Sequence, residues 1–274
     1  MLYIPIILVI VTLVIWYKQY EKSFFNKPPN YPDFRKINKE GKPVFIAFGD
    51  SLSQGNMSAN WVNMFEVKRP DLQVFNAGMN ADLTYTLLTR IDDVIACKPQ
   101  IISLLIGSND VMATLSPARM ARYYELGKIT EDAYFEGFES NYRRIIEILL
   151  QETEAKILVV SLPPITEDFN FIGNQKADQY SETIKQIAGD YNLTYIPFRE
   201  KLKENMPKNN GQIEDFDQSV TLLRKAAIKK NFLGQTWNEI AQSRKAKYMT
   251  DNIHLNDDAA EILAEMVNES LKKV

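Results

Sequence analysis

Three residues of the chain have the types and spacing of a nucleophile and its base. Ser51 follows a short apolar run, and His254 comes three residues after Asp251. That spacing lets a carboxylate and an imidazole meet on one short loop. A serine hydroxyl becomes a strong nucleophile when a neighbouring base removes its proton, and imidazole has a suitable pKa for this near neutral pH. These residue types can therefore support nucleophilic catalysis.

The small number of histidines and cysteines limits which other chemistry is open. His254 is the only histidine among 274 residues, and Cys97 is the only cysteine. A two-histidine metal site, a cysteine-rich zinc site and an intrachain disulfide are therefore excluded. We expect no metal, no cofactor and an inert Cys97. A mechanism that needs an imidazole must use His254.

Two further positions that follow apolar runs could donate hydrogen bonds to a ligand. A bare backbone amide at Gly78 could approach a ligand closely, and the side-chain amide of Asn109 could donate a hydrogen bond into the same crevice. Taken singly, each position is also typical of an ordinary turn. We interpret Asp50 and Asp110, which stand beside the motif residues, as hydrogen-bond acceptors that fix loops.

Five apolar runs of four to six residues alternate with amphipathic stretches, and these elements must position the polar residues. The runs have the length and composition of buried strands. They are Val44–Phe48, Leu72–Phe75, Ile101–Ile106, Ile157–Ser161 and Leu193–Ile196. Tyr134–Leu150 and Ala259–Leu271 repeat apolar residues at helical spacing. The alternation predicts a parallel sheet covered on both faces, with ligands bound beyond the carboxyl ends of its strands.

With these motifs in this order, the chain resembles the SGNH hydrolase superfamily, also called GDSL esterases and lipases. The matching positions are Ser51, Gly78, Asn109 and His254. The resemblance implies an α/β fold, a flavodoxin-like three-layer α/β/α sandwich with about five parallel strands, and ester hydrolysis without a metal. It implies a triad of Ser51, His254 and Asp251. It also implies an oxyanion hole made by the backbone N–H groups of Ser51 and Gly78 and by the Asn109 side chain.

The resemblance covers a hydrolase domain over residues 43–274, with one departure. Residues from about 206 to 250 form a basic, helical insertion that is longer than in compact members of the superfamily. We interpret it as a solvated insertion. A cap over the active site and a surface for anionic lipid are the alternatives.

Residues 2–17 form an uncharged apolar run in which Thr12 is the only clearly polar side chain. Sixteen helical residues span about 24 Å, close to the ~30 Å hydrocarbon core of a bilayer. The basic region and cleavage site of a signal peptide are absent. We therefore predict a transmembrane helix over residues 1–17 and a polar, proline-containing tether over residues 18–42. A buried N-terminal helix is the alternative.

The charges beside the predicted anchor bear on its orientation. Residues 18–42 carry seven basic and three acidic side chains. The positive-inside rule then favours a catalytic domain in the cytoplasm. A short anchor followed by a large domain can also be exported, so the side of the membrane stays open.

The leading hypothesis is a membrane-anchored serine hydrolase that cleaves acyl, acetyl or lipid esters through an acyl-enzyme. A thioesterase or a carbohydrate O-deacetylase would use the same residues. An inactive binding module and a structural membrane scaffold rank lower, because all four motif positions are present. A net charge of −3 without a basic block argues against a nucleic-acid partner. The sequence leaves the oligomeric state open.

Overall fold

A computed structural model describes residues 11, 12, 15, 24–37, 41–129, 135–206 and 219–272. Within these residues, five parallel strands form one sheet in the order β2-β1-β3-β4-β5. The strands are β1 (Val44–Gly49), β2 (Gln73–Gly78), β3 (Ile101–Leu105), β4 (Lys156–Val160) and β5 (Thr194–Ile196). All five predicted strands are present, and their order is that of flavodoxin-like folds.

Helices connect the strands and cover the sheet. A short 3-10 helix spans Phe34–Lys36. The α-helices of the described residues are α1 (Ser51–Gln54), α2 (Trp61–Lys68), α3 (Thr84–Leu88), α4 (Ile91–Ile95), α5 (Ser108–Ala113), α6 (Pro117–Glu125), α7 (Phe135–Glu152), α8 (Ile172–Asp190), α9 (Phe198–Asn205), α10 (Ser219–Leu233), α11 (Trp237–Gln242) and α12 (Asp257–Lys272). The two predicted amphipathic helices correspond to α7 and α12.

Strand β1 shows how the sheet separates two apolar layers. Ile46 and Phe48 pack in the cluster that contains apolar side chains of α7 and α8. Phe45 and Ala47 pack in the opposite cluster, with side chains of α2 and α12. Successive side chains of a strand point to opposite faces, so a strand between two helical layers is buried throughout. The fold is therefore a three-layer α/β/α sandwich, as predicted.

Residues 24–37, which the sequence places in a tether, lie along the outer edge of β2. The Asn30 carbonyl accepts a hydrogen bond from Asn76 N at 3.0 Å, and the Lys36 carbonyl accepts one from the Gln73 side chain at 2.7 Å. Tyr31 is buried. These contacts give an edge strand the partners that it otherwise lacks, so the packed part of the chain begins before residue 43.

The predicted transmembrane helix falls almost wholly outside the described residues, which include only Val11, Thr12 and Ile15 of that run. In the part of the chain that the structure describes, no helix has both the length and the apolar character needed to cross a membrane.

Helices α10 and α11 belong to the predicted insertion, whose residues 207–218 also lie outside the described ranges. Helix α10 buries one face, formed by Ser219, Leu222, Ala226 and Ala227. The insertion is therefore packed onto the domain by part of its surface.

Candidate active site

Ser51 is the first residue of α1, immediately beyond the carboxyl end of β1. The side chain of Asp50 caps this helix by accepting a hydrogen bond from Leu52 N at 2.9 Å. A Cβ atom on Gly49 would lie 2.2 Å from the Leu105 carbonyl oxygen, so β1 and β3 can approach here only with glycine. In the described part of the chain the Ser51 N–H donates to no acceptor, as expected at a helix start.

The three residues predicted to form a triad meet in the structure. His254 Nε2 lies 3.1 Å from Ser51 Oγ, and His254 Nδ1 lies 2.6 Å from Asp251 Oδ2. Asp251 Oδ1 accepts hydrogen bonds from the backbone N–H groups of Ile253 and His254, at 2.7 and 2.8 Å. All three triad side chains are buried. The distances join a hydroxyl, an imidazole and a carboxylate in the order that an activated serine requires.

Burial and the charge of the partner shift the pKa values of His254 and Asp251 in opposite directions. Burial disfavours the imidazolium, but the Asp251 carboxylate outweighs it and raises the pKa of His254 above 6.5. Burial also opposes a charge on Asp251, while His254 and the backbone donors lower the pKa of Asp251 below its usual value. A charged Asp251 holds the proton of a neutral His254 on Nδ1, so that Nε2 is free to accept the serine proton.

Asn109 lies in the first turn of α5, at the carboxyl edge of β3. Its Nδ2 donates to the Asp82 carbonyl at 2.8 Å and makes a longer contact of 3.3 Å with Asp50 Oδ2. Its Oδ1 accepts a hydrogen bond from the Tyr123 hydroxyl at 2.8 Å. The amide is thus placed between the loop that follows β2 and the residue that precedes Ser51.

Gly78 ends β2 opposite Gly49, but its N–H already has a partner. It donates to Asn76 Oδ1 at 2.9 Å. A Cβ atom on Gly78 would lie 2.1 Å from Gln54 N, which is backbone of α1. The structure therefore explains Gly78 by the close approach of β2 to α1, a packing role that the sequence interpretation did not include.

The loop after β2 offers a different backbone donor. Ala81 has φ +61°, which is uncommon for a residue with a side chain, and its N–H donates to no acceptor in the described ranges. The next residue, Asp82, supplies the carbonyl that binds Asn109. Sequence reasoning missed Ala81, because an alanine in a loop carries no chemical signal.

Asp50 and Asp110 fix loops around the site, as predicted. Asp110 accepts hydrogen bonds from Thr84 N at 3.1 Å and from Thr84 Oγ1 at 2.6 Å. Burial raises the pKa of Asp50 to about 7 and that of Asp110 to about 6. Among the described residues, no group of three or more His, Cys, Asp or Glu side chains is arranged to hold a metal ion.

The insertion braces the loop that carries Asp251 and His254. Arg244 donates to the Asp251 carbonyl and to Asn252 Oδ1, the latter at 3.0 Å. The carboxylate of Glu167 accepts three backbone N–H hydrogen bonds, from residues 247, 248 and 249, at 2.8, 2.6 and 3.0 Å. Sequence reasoning took the charges of the insertion as solvated and did not find this role of Arg244.

Known proteins are similar to this chain in sequence and in fold. The profile of the GDSL-like Lipase/Acylhydrolase family matches residues 47–262. An acetylxylan esterase from Geobacillus stearothermophilus is 29% identical over 189 residues, which are 64% of this chain and 77% of that protein.

Two solved structures have the same fold. An acetyl xylan esterase covers 83% of this chain and 99% of its own, with a TM-score of 0.57 and 20% identity. A catalytic mutant of the Geobacillus stearothermophilus acetylxylan esterase Axe2 covers 84% of this chain and 94% of its own, with a TM-score of 0.55 and 19% identity.

Proposed function

The chain belongs to the GDSL-like Lipase/Acylhydrolase family and is an ester-hydrolysing serine hydrolase, and from this premise we propose that it removes acetyl groups from carbohydrate through Ser51, His254 and Asp251. The observation that carries the assignment of residues is the continuous contact from Ser51 Oγ to His254 and from His254 to Asp251, at 3.1 and 2.6 Å.

The proposed reaction has two halves. Ser51 Oγ attacks the ester carbonyl while His254 Nε2 takes the hydroxyl proton. His254 then gives that proton to the departing alcohol, which leaves the acyl group on Ser51. A water molecule, deprotonated by the same nitrogen, attacks the acyl-enzyme. His254 then returns this proton to Ser51 Oγ as the acid leaves, which restores the serine hydroxyl. Asp251 holds the ring in position and stabilises the imidazolium in both halves.

The negative oxygen of each tetrahedral intermediate needs hydrogen-bond donors. We assign this role to the Ser51 N–H and to Asn109 Nδ2, which can exchange its long contact with Asp50 for the oxyanion. The resemblance implies the Gly78 N–H as a further backbone donor. We prefer the Ala81 N–H, because Asn76 occupies that of Gly78. Each such donor is worth about 100- to 1,000-fold in turnover.

We propose that the acyl group of the substrate is acetyl and that its alcohol is a carbohydrate hydroxyl. The named activity of the acetylxylan esterase relatives supports an O-acetyl ester of a carbohydrate. Esters with longer acyl chains, lipid esters among them, and acyl thioesters would be attacked by the same residues, and they are the substrates to compare.

A substrate panel with a matched variant tests the proposal. We expect the highest kcat/KM for acetylated carbohydrate, and we expect Ser51→Ala to lose both turnover and labelling by a fluorophosphonate. Undiminished turnover in Ser51→Ala would overturn the assignment of the nucleophile. A higher kcat/KM for longer acyl esters or thioesters would overturn the choice of substrate.

We also propose that residues 1–17 anchor the enzyme in the cell membrane as a single-pass helix. The charges of residues 18–42 favour a cytoplasmic catalytic domain, and an exported domain is the alternative. The support is the uncharged apolar run of residues 2–17. No partner beyond this membrane and the substrate is proposed.

The chain joins the domain at Phe24, close to the helix that begins with Ser51, and this limits how far the active site can lie from the proposed anchor. The Phe24 carbonyl accepts hydrogen bonds from the side-chain amides of Gln54, Asn56 and Asn80, at 3.1, 3.1 and 2.5 Å. Gln54 lies on α1, the helix that begins with Ser51. Six residues separate Tyr17 from Phe24, so the two are at most about 25 Å apart in extended chain. An anchor over residues 1–17 would therefore keep the active-site edge of the sheet near the bilayer.

A further inference from the structure

Tyr123 reaches from α6 to the amide of Asn109, on the side away from the nucleophile helix. Its hydroxyl donates to Asn109 Oδ1 at 2.8 Å, and both side chains are buried. The direction of this hydrogen bond follows from the other end of the amide. Asn109 Nδ2 faces the Asp82 carbonyl, which can only accept, so Oδ1 must be the atom that faces Tyr123.

We propose that Tyr123 is a positioning residue for ester hydrolysis, whose hydroxyl holds the Asn109 amide so that one Nδ2 hydrogen is presented to the oxyanion. The inference rests on the proposed function, since it acts through the role given there to Asn109. Within the described ranges Tyr123 makes no hydrogen bond to Ser51, His254 or Asp251.

The contacts around the amide support this division of roles. Tyr123 and the Asp82 carbonyl bind the two ends of the Asn109 amide at 2.8 Å each, which fixes its plane. The second Nδ2 hydrogen has only the 3.3 Å contact with Asp50 Oδ2, a long distance for a hydrogen bond to a carboxylate. The protein therefore holds one hydrogen in a close hydrogen bond, and the other can be donated in a hydrogen bond to a substrate oxygen at little cost.

The surroundings of Tyr123 keep its hydroxyl a donor. Burial, followed by the nearby carboxyl groups of Asp110 and Asp50, raises the pKa of Tyr123 far above its usual value. The hydroxyl therefore stays protonated throughout the pH range in which His254 works. Without it, Asn109 Oδ1 would be a buried acceptor lacking its donor, and only the Asp82 carbonyl would hold the amide closely.

Tyr123→Phe in the full-length protein removes the hydroxyl and leaves the ring. Tyr142→Phe is the matched control, because the buried Tyr142 hydroxyl has no hydrogen-bond partner within the described ranges. For Tyr123→Phe we expect kcat to fall about tenfold, less than the ~100- to 1,000-fold expected for loss of the whole donor in Asn109→Ala. KM and the pH at which activity begins to fall should stay as in the wild type. Tyr142→Phe should leave kcat unchanged.

A double-mutant cycle separates positioning from a general loss of structure. Adding Tyr123→Phe to Asn109→Ala should cost no further kcat, because the group that Tyr123 positions is already gone. An equal loss in both backgrounds would show a merely structural role and overturn the inference, and so would full activity of Tyr123→Phe.

Fluorophosphonate labelling of Ser51 distinguishes a failure of the proposed function from a failure of the role of Tyr123. It can be measured on whatever fraction of a variant is folded. A wild type that is neither labelled nor active on esters would overturn the proposed function together with this inference. A labelled wild type and a Tyr123→Phe variant that is labelled equally fast would overturn only the role of Tyr123. Slower labelling of Tyr123→Phe, with normal labelling of Tyr142→Phe, would support it.

Discussion

His254 Nε2 lies 3.1 Å from Ser51 Oγ, although 203 positions separate the two residues in the chain. Ser51 begins α1, just after β1, and His254 belongs to the loop that precedes α12. The fold brings the two segments together, because α12 packs against α2. Side chains of both helices share one apolar cluster with Phe45 and Ala47 of β1. The contact is therefore a product of the whole fold, and its chemistry depends on how both segments are held.

The charge of Asp251 should set the pH at which the enzyme loses activity. A protonated His254 cannot accept the serine proton, so turnover falls as the pH drops through the pKa of His254. Because Asp251 raises this pKa, we expect the acid limb of the wild-type profile at a higher pH than an ordinary histidine would give. In Asp251→Asn, burial still lowers the pKa of His254, while the charge of Asp251 that raised this pKa is lost. The limb should then move to lower pH, and kcat should fall by about 10,000-fold.

The pH profile of kcat/KM measures this shift. Glu154→Gln is a suitable control, because it removes an exposed carboxylate before the amino end of β4, at the opposite edge of the sheet. Its profile should match that of the wild type. An acid limb that does not move in Asp251→Asn would contradict the assignment of His254 as the base.

Arg244 should affect catalysis although it lies outside the triad. Its guanidinium donates to the Asp251 carbonyl and to the Asn252 side chain, so Arg244→Met should loosen the loop that carries Asp251 and His254. Small displacements of catalytic groups cost large factors in rate, and we expect kcat to fall about 10- to 100-fold. Steady-state kinetics with Lys245→Met as the control measures the effect, since the exposed Lys245 side chain makes no hydrogen bond or ion pair within the described ranges. Equal kcat values in the two variants would rule out the brace.

The sequence predicts those features that depend on local pattern. The five strands follow from short apolar runs, and the His254–Asp251 contact follows from a three-residue spacing. For β2 the apolar run alone stops at Phe75, while the strand continues to Gly78, where the order of the motifs places its end. Polar and small residues there give no strand signal, and they are held in the sheet by pairing with β1.

The remaining parts of the site depend on packing between distant segments. Tyr123 comes 14 residues after Asn109, and nothing in that spacing indicates that its hydroxyl reaches the amide. Arg244 stands among other basic residues, and only the folded chain separates it from those on the surface. Ala81 becomes a candidate donor because its N–H has no acceptor in the described ranges and its φ angle is +61°, and neither feature shows in the sequence.

Gly78 should be required for folding because of its lack of a side chain. A Cβ atom there would lie 2.1 Å from Gln54 N, a backbone atom that cannot move away without displacing α1. We expect Gly78→Ala to lower the free energy of unfolding by about 1–3 kcal/mol, the usual cost of overpacking, and to reduce turnover because α1 begins with Ser51. Gly189→Ala is the control, since a Cβ there meets nothing within 4 Å and alanine favours the helix. Denaturant unfolding of both variants measures the difference, and equal stability would contradict the steric argument.

The enzyme should leave the membrane when charged residues interrupt the apolar run of the proposed anchor. A lysine at the centre of a membrane helix costs about 2.5–3.5 kcal/mol, so Val9→Lys combined with Val11→Lys should move the full-length protein from the membrane fraction to the soluble fraction. Val9→Leu combined with Val11→Leu keeps the run apolar and should stay with the membrane. Ester turnover should persist in both, because residues 24–37 join the domain through their own contacts with β2 and α1. Fractionation of cells after a carbonate wash, followed by an esterase assay of each fraction, measures the outcome. If the lysine and leucine variants fractionate alike, residues 1–17 are not an anchor, and the short tether to Phe24 says nothing about where the active site works.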